Sequence, residues 1–153
     1  MANTYTQLYI QFVFSPKYRE ACIKDEWKHL LYQYITGTVE NHEHKVLAIN
    51  GMSDHIHLFI GLNPKESLSE LIKIVKGFSS KWINEKGFLK RKFEWQEGFG
   101  AFSYSRSHID AVVKYIQNQE IHHAQKTFLE EYKELLANFD VEYDERFIFK
   151  ELI

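Results

Sequence analysis

His55 and His57 stand two residues apart in Ser-Asp-His-Ile-His-Leu-Phe-Ile, residues 53–60. Side chains alternate along a strand, so both imidazoles leave the same face and can meet one metal ion, while Ile56, Leu58 and Ile60 turn the other way into a core. The same spacing also suits two histidines on the open face of a half-buried strand, and a second signal has to decide between the two. Residues 108–123 read as a helix on which Ile109, Val112, Val113 and Ile116 form an apolar stripe, with His108, Tyr115, Gln119 and His122 together on its flank. Tyr115 and Gln119, at i and i+4, sit one turn apart on one face. Spacing alone leaves Tyr115 equally readable as a core-edge tyrosine with its hydroxyl in water, one of nine in the chain.

These side chains need a scaffold, and the periodicity supplies one. Residues 8–14, Leu-Tyr-Ile-Gln-Phe-Val-Phe, are nearly all apolar and predict a central strand ended by Ser15-Pro16. Helical spacing follows from Asp25 to about His44. Two β-like runs, residues 45–50 and 55–62, are joined by Gly-Met-Ser-Asp and predict a hairpin. Ser67 with Glu70 has the spacing of a capping box, apolar residues keep helical period to about Glu85, and Gly87 stops the helix. A short strand is expected around 99–105 after the turn-like Glu97-Gly98, and Ser107 is placed to cap the helix that carries Tyr115. Residues 128–138 look helical within an acidic, partly aromatic tail that starts at about 124. The order β-α-β-β-α-β-α closes most simply as an α+β fold: a ferredoxin-like (RRM-like) antiparallel sheet with two helices on one face and the tyrosine-bearing helix added at the C-terminal end.

Composition narrows the possibilities. The chain has 153 residues, 44% hydrophobic and 16% aromatic, enough for one domain over residues 1–153 and too ordered in composition for a disordered or repetitive polymer. Its single cysteine, Cys22, cannot form an intrachain disulfide or a cysteine-rich zinc site, which makes a reducing cytoplasm the expected location. The opening residues lack a basic stretch followed by an apolar one, so no secretory signal is expected, and no run is apolar enough to span a membrane. The net charge is −2. That total conceals a basic stretch over residues 73–92 of net +6 and an acidic one over 120–153 of net −5. If nucleic acid is a partner, it must be met by a local basic surface or through a metal. Gly98 and Gly100 lack the Gly-Lys-Ser/Thr of a phosphate-binding loop, so no nucleotide cofactor is expected. No Ser-His-Asp or Cys-His pattern stands out.

Three segments together resemble a known family: Asp-His-Ile-His-Leu-Phe-Ile at 54–60, Trp-Gln-Glu-Gly-Phe-Gly-Ala-Phe-Ser at 95–103, and Tyr-Ile-Gln-Asn-Gln-Glu-Ile-His-His at 115–123. The chain resembles the single-tyrosine HUH transposases of the insertion-sequence 200/605 family, with REP-associated tyrosine transposases among their relatives, over roughly residues 5–148. The resemblance implies that His55, His57 and Gln119 are metal ligands and Tyr115 the nucleophile. It implies a divalent ion, Mg²⁺ or Mn²⁺, and attack on single-stranded DNA, at hairpin ends of a mobile element, to leave a 5′-phosphotyrosine. It also implies a homodimer, commonly with the tyrosine helix of one subunit completing the metal site of the other. Lys73, Lys76, Lys81, Lys90, Arg91, Lys92 and Arg106 are the candidate DNA contacts, the loop trio 90–92 foremost. Asp54, His108 and His122 are candidates to stand behind the ligands or the tyrosine, and His123 has no assigned role. Two other readings stay open: a domesticated module that binds nucleic acid without cutting it, and a metal-dependent nuclease in which water attacks and Tyr115 is structural.

Overall fold

The apolar run near the start forms β1 (Tyr9–Phe14), buried along almost its whole length, as a strand with neighbours on both sides and layers on both faces must be. In the computed structural model, which describes residues 4–123 and 126–142, the remaining elements are α1 (Asp25–Asn41), β2 (Lys45–Met52), β3 (His55–Gly61), α2 (Leu68–Lys86), β4 (Gly100–Tyr104), α3 (Ile109–Gln117), α4 (Gln119–His123) and α5 (Phe128–Asn138). The sheet order is β2-β3-β1-β4, with every pairing antiparallel. This is the α+β, ferredoxin-like arrangement that the element order predicts.

Local chemistry accounts for the boundaries. Ser67 accepts a hydrogen bond from the Glu70 backbone N–H and starts α2, and Gly87, at φ 69°, ends it in the left-handed conformation that glycine adopts at little cost. The loop that follows is held to α2 by the Asn84 side chain, which bonds both backbone polar groups of Phe93, and by the Trp95 indole N–H on Ser79 Oγ at 2.9 Å. α1 and α2 cover one face of the sheet, where Ile10, Phe12, Phe14, Ile56, Leu58 and Ile60 meet Leu31, Ile35, Leu71 and Val75 in the main core.

The second face is not open. α3 packs Val112 and Ile116 on Ala48 and Phe59, and α5 packs Phe128, Tyr132 and Leu136 on Val13 and Phe102. The acidic segment from about 124 is therefore more than a tail, since α5 is one of the layers; its residues beyond 142 lie outside the described residues. β3 is buried on both faces, which removes the reading of His55 and His57 as histidines on a half-exposed strand.

Two expectations for the tyrosine helix need correction. Ser107 does not cap it: a short 3₁₀ turn, Arg106–His108, leads into α3, and the Ser107 hydroxyl bonds Ser105 instead. Nor is the helix continuous from His108 to His123, because it breaks at Asn118. The physical reason lies on β2. The Asn50 side-chain amide donates to the carbonyls of Ile116 and Gln117 at 3.0 and 3.2 Å. In an unbroken helix those carbonyls would accept from the N–H groups four residues on. The Ile121 N–H bonds the Asn118 carbonyl instead, and the chain restarts as α4. Lys28 of α1, paired with Glu120 at 3.4 Å, ties the new helix down.

Gly100 is where α5 and the sheet come closest. A Cβ there would lie 2.7 Å from the Tyr132 hydroxyl and 3.0 Å from the Phe102 ring. Overpacking of this kind costs about 1–3 kcal/mol. Gly100→Ala is expected to lower the unfolding free energy by that amount in a denaturant titration, whereas an alanine at Gly37, where a Cβ meets nothing within 4 Å, is expected to leave it unchanged or raised.

Candidate metal and nucleophile site

β3 presents His55 and His57 to the second face, and the helices on that face bring polar groups to the same point. Both histidines and Gln119 are fully buried, and Glu131 is 3% exposed. His55 Nδ1 lies 2.7 Å from Asp54 Oδ1, and His57 Nδ1 lies 2.6 Å from Gln11 Oε1, whose own amide N–H donates to Tyr104 at 2.8 Å. Burial alone would raise the Asp54 carboxyl, but its hydrogen bond with His55 and the positive charges around it hold it below the usual carboxylate range. Each Nδ1 thus has a protein partner on the outer side, and the Nε2 atoms are the nitrogens directed inward.

What they face is more acceptors. His55 Nε2 is 3.0 Å from Gln119 Oε1 and 3.5 Å from Glu131 Oε1, and His57 Nε2 is 3.0 Å from the same Glu131 oxygen. His123, whose Nδ1 is 3.0 Å from the Lys126 carbonyl, points its Nε2 at Gln119 Oε1 and Glu131 Oε1 from 3.1 and 3.2 Å. A second proton on His57 is opposed by burial, which lowers its pKa. Burial opposes a charge on His123, but its hydrogen bond with Glu131 outweighs that and raises its pKa; the donors of His55, His57 and Glu131 are able to hold a cation. Donors sharing one ion at about 2.1 Å lie about 3.0–3.4 Å apart, close to the separations seen here. Two imidazole nitrogens, an amide oxygen and a carboxylate oxygen suit a divalent ion, with the hard oxygens favouring Mn²⁺ or Mg²⁺ over softer choices. Among the described residues, His55, His57 and Glu131 form the cluster of three histidine or acidic ligands able to hold a metal.

Tyr115 completes the group. Its hydroxyl donates a hydrogen bond to Glu131 Oε2, and its ring meets the His57 ring edge-on with centroids 5.9 Å apart. Burial first, and then the Glu131 charge, push its pKa far above that of an ordinary phenol. Glu131 moves the other way: burial would raise it, but hydrogen bonds from His123 and His57 hold it well below the usual carboxylate range. An ionised carboxylate thus holds a neutral phenol within reach of the presumptive ligands.

All these residues belong to one chain. The sequence expectations fare unevenly. His55, His57, Tyr115 and Gln119 come together, and Asp54 stands behind His55. His108 does not join them: it is bonded to Ser105 at the start of α3, two turns from Tyr115. The side chain of His122 lies outside the described residues.

The basic candidates divide as well. Lys73 and Lys81 are exposed on α2, with the sheet between them and the histidine pair, and Lys90 and Lys92 are exposed in the following loop. Lys76 is half-buried and holds the loop before β4, donating to the Gln96 and Gly98 carbonyls; burial lowers its pKa to about 8, so it is a structural tie. Arg91 is paired with Glu20. Arg106 is exposed in the turn before α3.

Sequence reasoning missed Glu131, Gln11 and His123. Glu131 interrupts the stripe Phe128, Tyr132, Leu135, Leu136, and Gln11 interrupts an apolar central strand. A polar residue at a core position is the signal that could have found both.

Comparison with known proteins places this arrangement. The family model described as "Transposase IS200 like" matches residues 4–119. Proteins named as the transposase for insertion sequence element IS200, from Salmonella typhimurium and Salmonella typhi, are each 30% identical over 98 residues, 63% of this chain. That match spans 64% of the length of these curated relatives. A putative transposase from Deinococcus radiodurans R1 has a similar fold, with TM-score 0.64 and 21% identity over 78% of this chain and 95% of its own. A REP-associated tyrosine transposase solved bound to a REP hairpin has TM-score 0.61 and 17% identity over 100% of this chain and 97% of its own.

If the inward Nε2 atoms belong to a metal site, the groups that hold the outer nitrogens set its affinity. Losing such a partner commonly weakens metal binding about 10- to 100-fold. Asp54→Ala is expected to weaken Mn²⁺ binding within that range in a calorimetric titration, and His57→Ala to abolish it.

Proposed function

Because the chain belongs to the IS200-like transposase family, with 116 of its residues inside the family match, we propose that it cuts and rejoins single-stranded DNA through a covalent 5′-phosphotyrosine on Tyr115. The observation that supports this most is the meeting of Tyr115 with His55, His57 and Gln119 at one buried point of a single chain. In this reading residues 1–153 act as one HUH transposase domain.

His55, His57 and Gln119 would hold the divalent ion, Mg²⁺ or Mn²⁺, which when bound polarises the scissile phosphate. The chain's own residues do the rest. Asp54 and Gln11 fix the ring orientations and tautomers of the two histidines. Phe128 stacks on His55 with ring centroids 4.0 Å apart and an interplanar angle of 6°, and so keeps water from that side. The Tyr115 hydroxyl gives up its proton as its oxygen supplies the electron pair that forms the new bond to phosphorus. The bond from phosphorus to the 3′ oxygen breaks, and the leaving oxygen takes up a proton as a free 3′-hydroxyl. An incoming 3′-hydroxyl reverses these steps and joins a new strand with no external energy source, since the phosphodiester bond is conserved in the intermediate.

The scissile strand would approach beside the site. Beside His123 and Asp54 lies a cleft of about 500 Å³ that Arg19, Lys126 and Phe128 also line. It has room for a nucleotide-sized group and carries basic side chains, so the scissile strand reaches the site there. The exposed lysines of α2, on the far side of the sheet, would hold flanking DNA. The relative bound to a REP hairpin supports hairpin ends as the substrate form. A homodimer, as the resemblance implies, belongs to this reading. Among the described residues no helix is long and apolar enough to cross a membrane.

Incubation of the protein with labelled single-stranded hairpin DNA and Mn²⁺, followed by denaturing electrophoresis, tests this reading. It predicts a protein–DNA adduct that survives denaturation and disappears in Tyr115→Phe. Cleavage that persists in Tyr115→Phe would assign the reaction to water, and binding without cleavage would leave a DNA-binding module.

A further inference from the structure

The family match ends at Gln119, yet α5, which lies beyond it, reaches back onto the same donors. We propose that Glu131 is a further ligand of the divalent ion and the positioning residue for Tyr115, with one carboxylate oxygen turned to the ion and the other holding the phenolic hydroxyl. The inference rests on the metal-dependent tyrosine chemistry proposed above and adds a residue to it.

The two oxygens of Glu131 have different surroundings. Oε1 lies 3.0 Å from His57 Nε2, 3.5 Å from His55 Nε2 and 3.2 Å from His123 Nε2. Oε2 accepts hydrogen bonds from the Tyr115 hydroxyl and from the Gln119 amide at 3.3 Å. One face of the carboxylate is therefore a ligand face and the other a hydrogen-bonding face. Oε1 meets three imidazole Nε2 atoms, of His55, His57 and His123, whose opposite ring nitrogens face Asp54, Gln11 and the Lys126 carbonyl. That is how donors share an ion, and the atoms of His55, His57 and Glu131 all lie within 4.8 Å of one another.

Charge argues in the same direction. Two neutral imidazoles and an amide bring no negative charge to a divalent ion, and Glu131 supplies it. It also brings the hard oxygen donors to two of four, which moves the preference toward Mn²⁺ and Mg²⁺. Position is assured by the rest of α5. Thr127 caps the helix by accepting from the Glu130 N–H at 3.2 Å, Phe128 lies flat on His55, and Tyr132 packs into the space that Gly100 leaves. A phenol on α3 hydrogen-bonded to so fixed a carboxylate has its oxygen held next to the ion, and effective concentration of this kind is a large part of catalysis.

The test uses the full chain, with Glu131→Gln and Glu131→Ala beside the wild type. Mn²⁺ affinity is read from the electron paramagnetic resonance signal of free Mn²⁺, and adduct formation is followed with hairpin DNA at saturating Mn²⁺. Circular dichroism selects the variants that fold, and Glu131→Gln, nearly the same in shape, carries the test if Glu131→Ala does not. The expected result is Mn²⁺ binding weakened at least about tenfold in Glu131→Ala and less in Glu131→Gln, whose amide oxygen can still ligate. At saturating Mn²⁺ both variants should still form the adduct more slowly, with DNA affinity unchanged. Mn²⁺ affinity within twofold of wild type in both variants would overturn the proposal. So would tighter Mn²⁺ binding or faster adduct formation, which would make the carboxylate a plug. Failure of the wild type itself to bind Mn²⁺ or form an adduct would overturn the underlying reading as well, a distinct outcome.

Discussion

Two imidazoles two residues apart on a strand covered on both faces are the constraint from which the rest of this structure follows. Alternation sends Ile56, Leu58 and Ile60 into the main core and leaves His55 and His57 on the other face. Because α3, α4 and α5 cover that face, the histidines lose water and every nitrogen needs a partner. The covering layers must then be polar at this one place, and they are: Gln11 from β1, Asp54 from the hairpin turn, Gln119 from α4 and Glu131 from α5. The outer nitrogens are satisfied by protein acceptors. The inner ones meet Gln119 and Glu131, in a group of donors able to hold a cation.

The break at Asn118 shows how finely this depends on one side chain. Asn50 takes the two carbonyls that would have continued α3, and α4 starts with Gln119 in full burial. On an uninterrupted helix, Gln119 would share the flank of Tyr115 one turn on. With the break, Gln119 reaches the imidazole of His55 through its oxygen while its amide N–H still meets, with Tyr115, the Oε2 of Glu131.

Much of this was legible in the sequence because it is local. The His-x-His alternation, the Ser67 cap, the Gly87 stop and the apolar periods of α1, α2 and α5 all depend on neighbours in the chain. The element order led to the correct sheet. What was not legible is long-range. Asn50 breaking a helix 66 residues away leaves no trace in the period of residues 108–123. Glu131 read as one acid of an acidic tail, although its place among Phe128, Tyr132 and Leu136 marked a core position. The basic stretch from 73 to 92 also looked more uniform than it is. Lys76 is spent on the loop before β4, Arg91 is paired with Glu20, and the exposed lysines of α2 lie across the sheet from the histidines. The charge segregation is real, but its exposed lysines lie away from the point where the histidines meet.

The account stands or falls on a cation at the point where the inner nitrogens meet. Anomalous diffraction at the manganese edge, from crystals of the full chain grown with Mn²⁺, locates that cation without reference to activity. The account predicts one strong peak within bonding distance of both His55 Nε2 and His57 Nε2 and of Gln119 Oε1. A peak elsewhere, with both nitrogens still facing Glu131 across an empty centre, would contradict it.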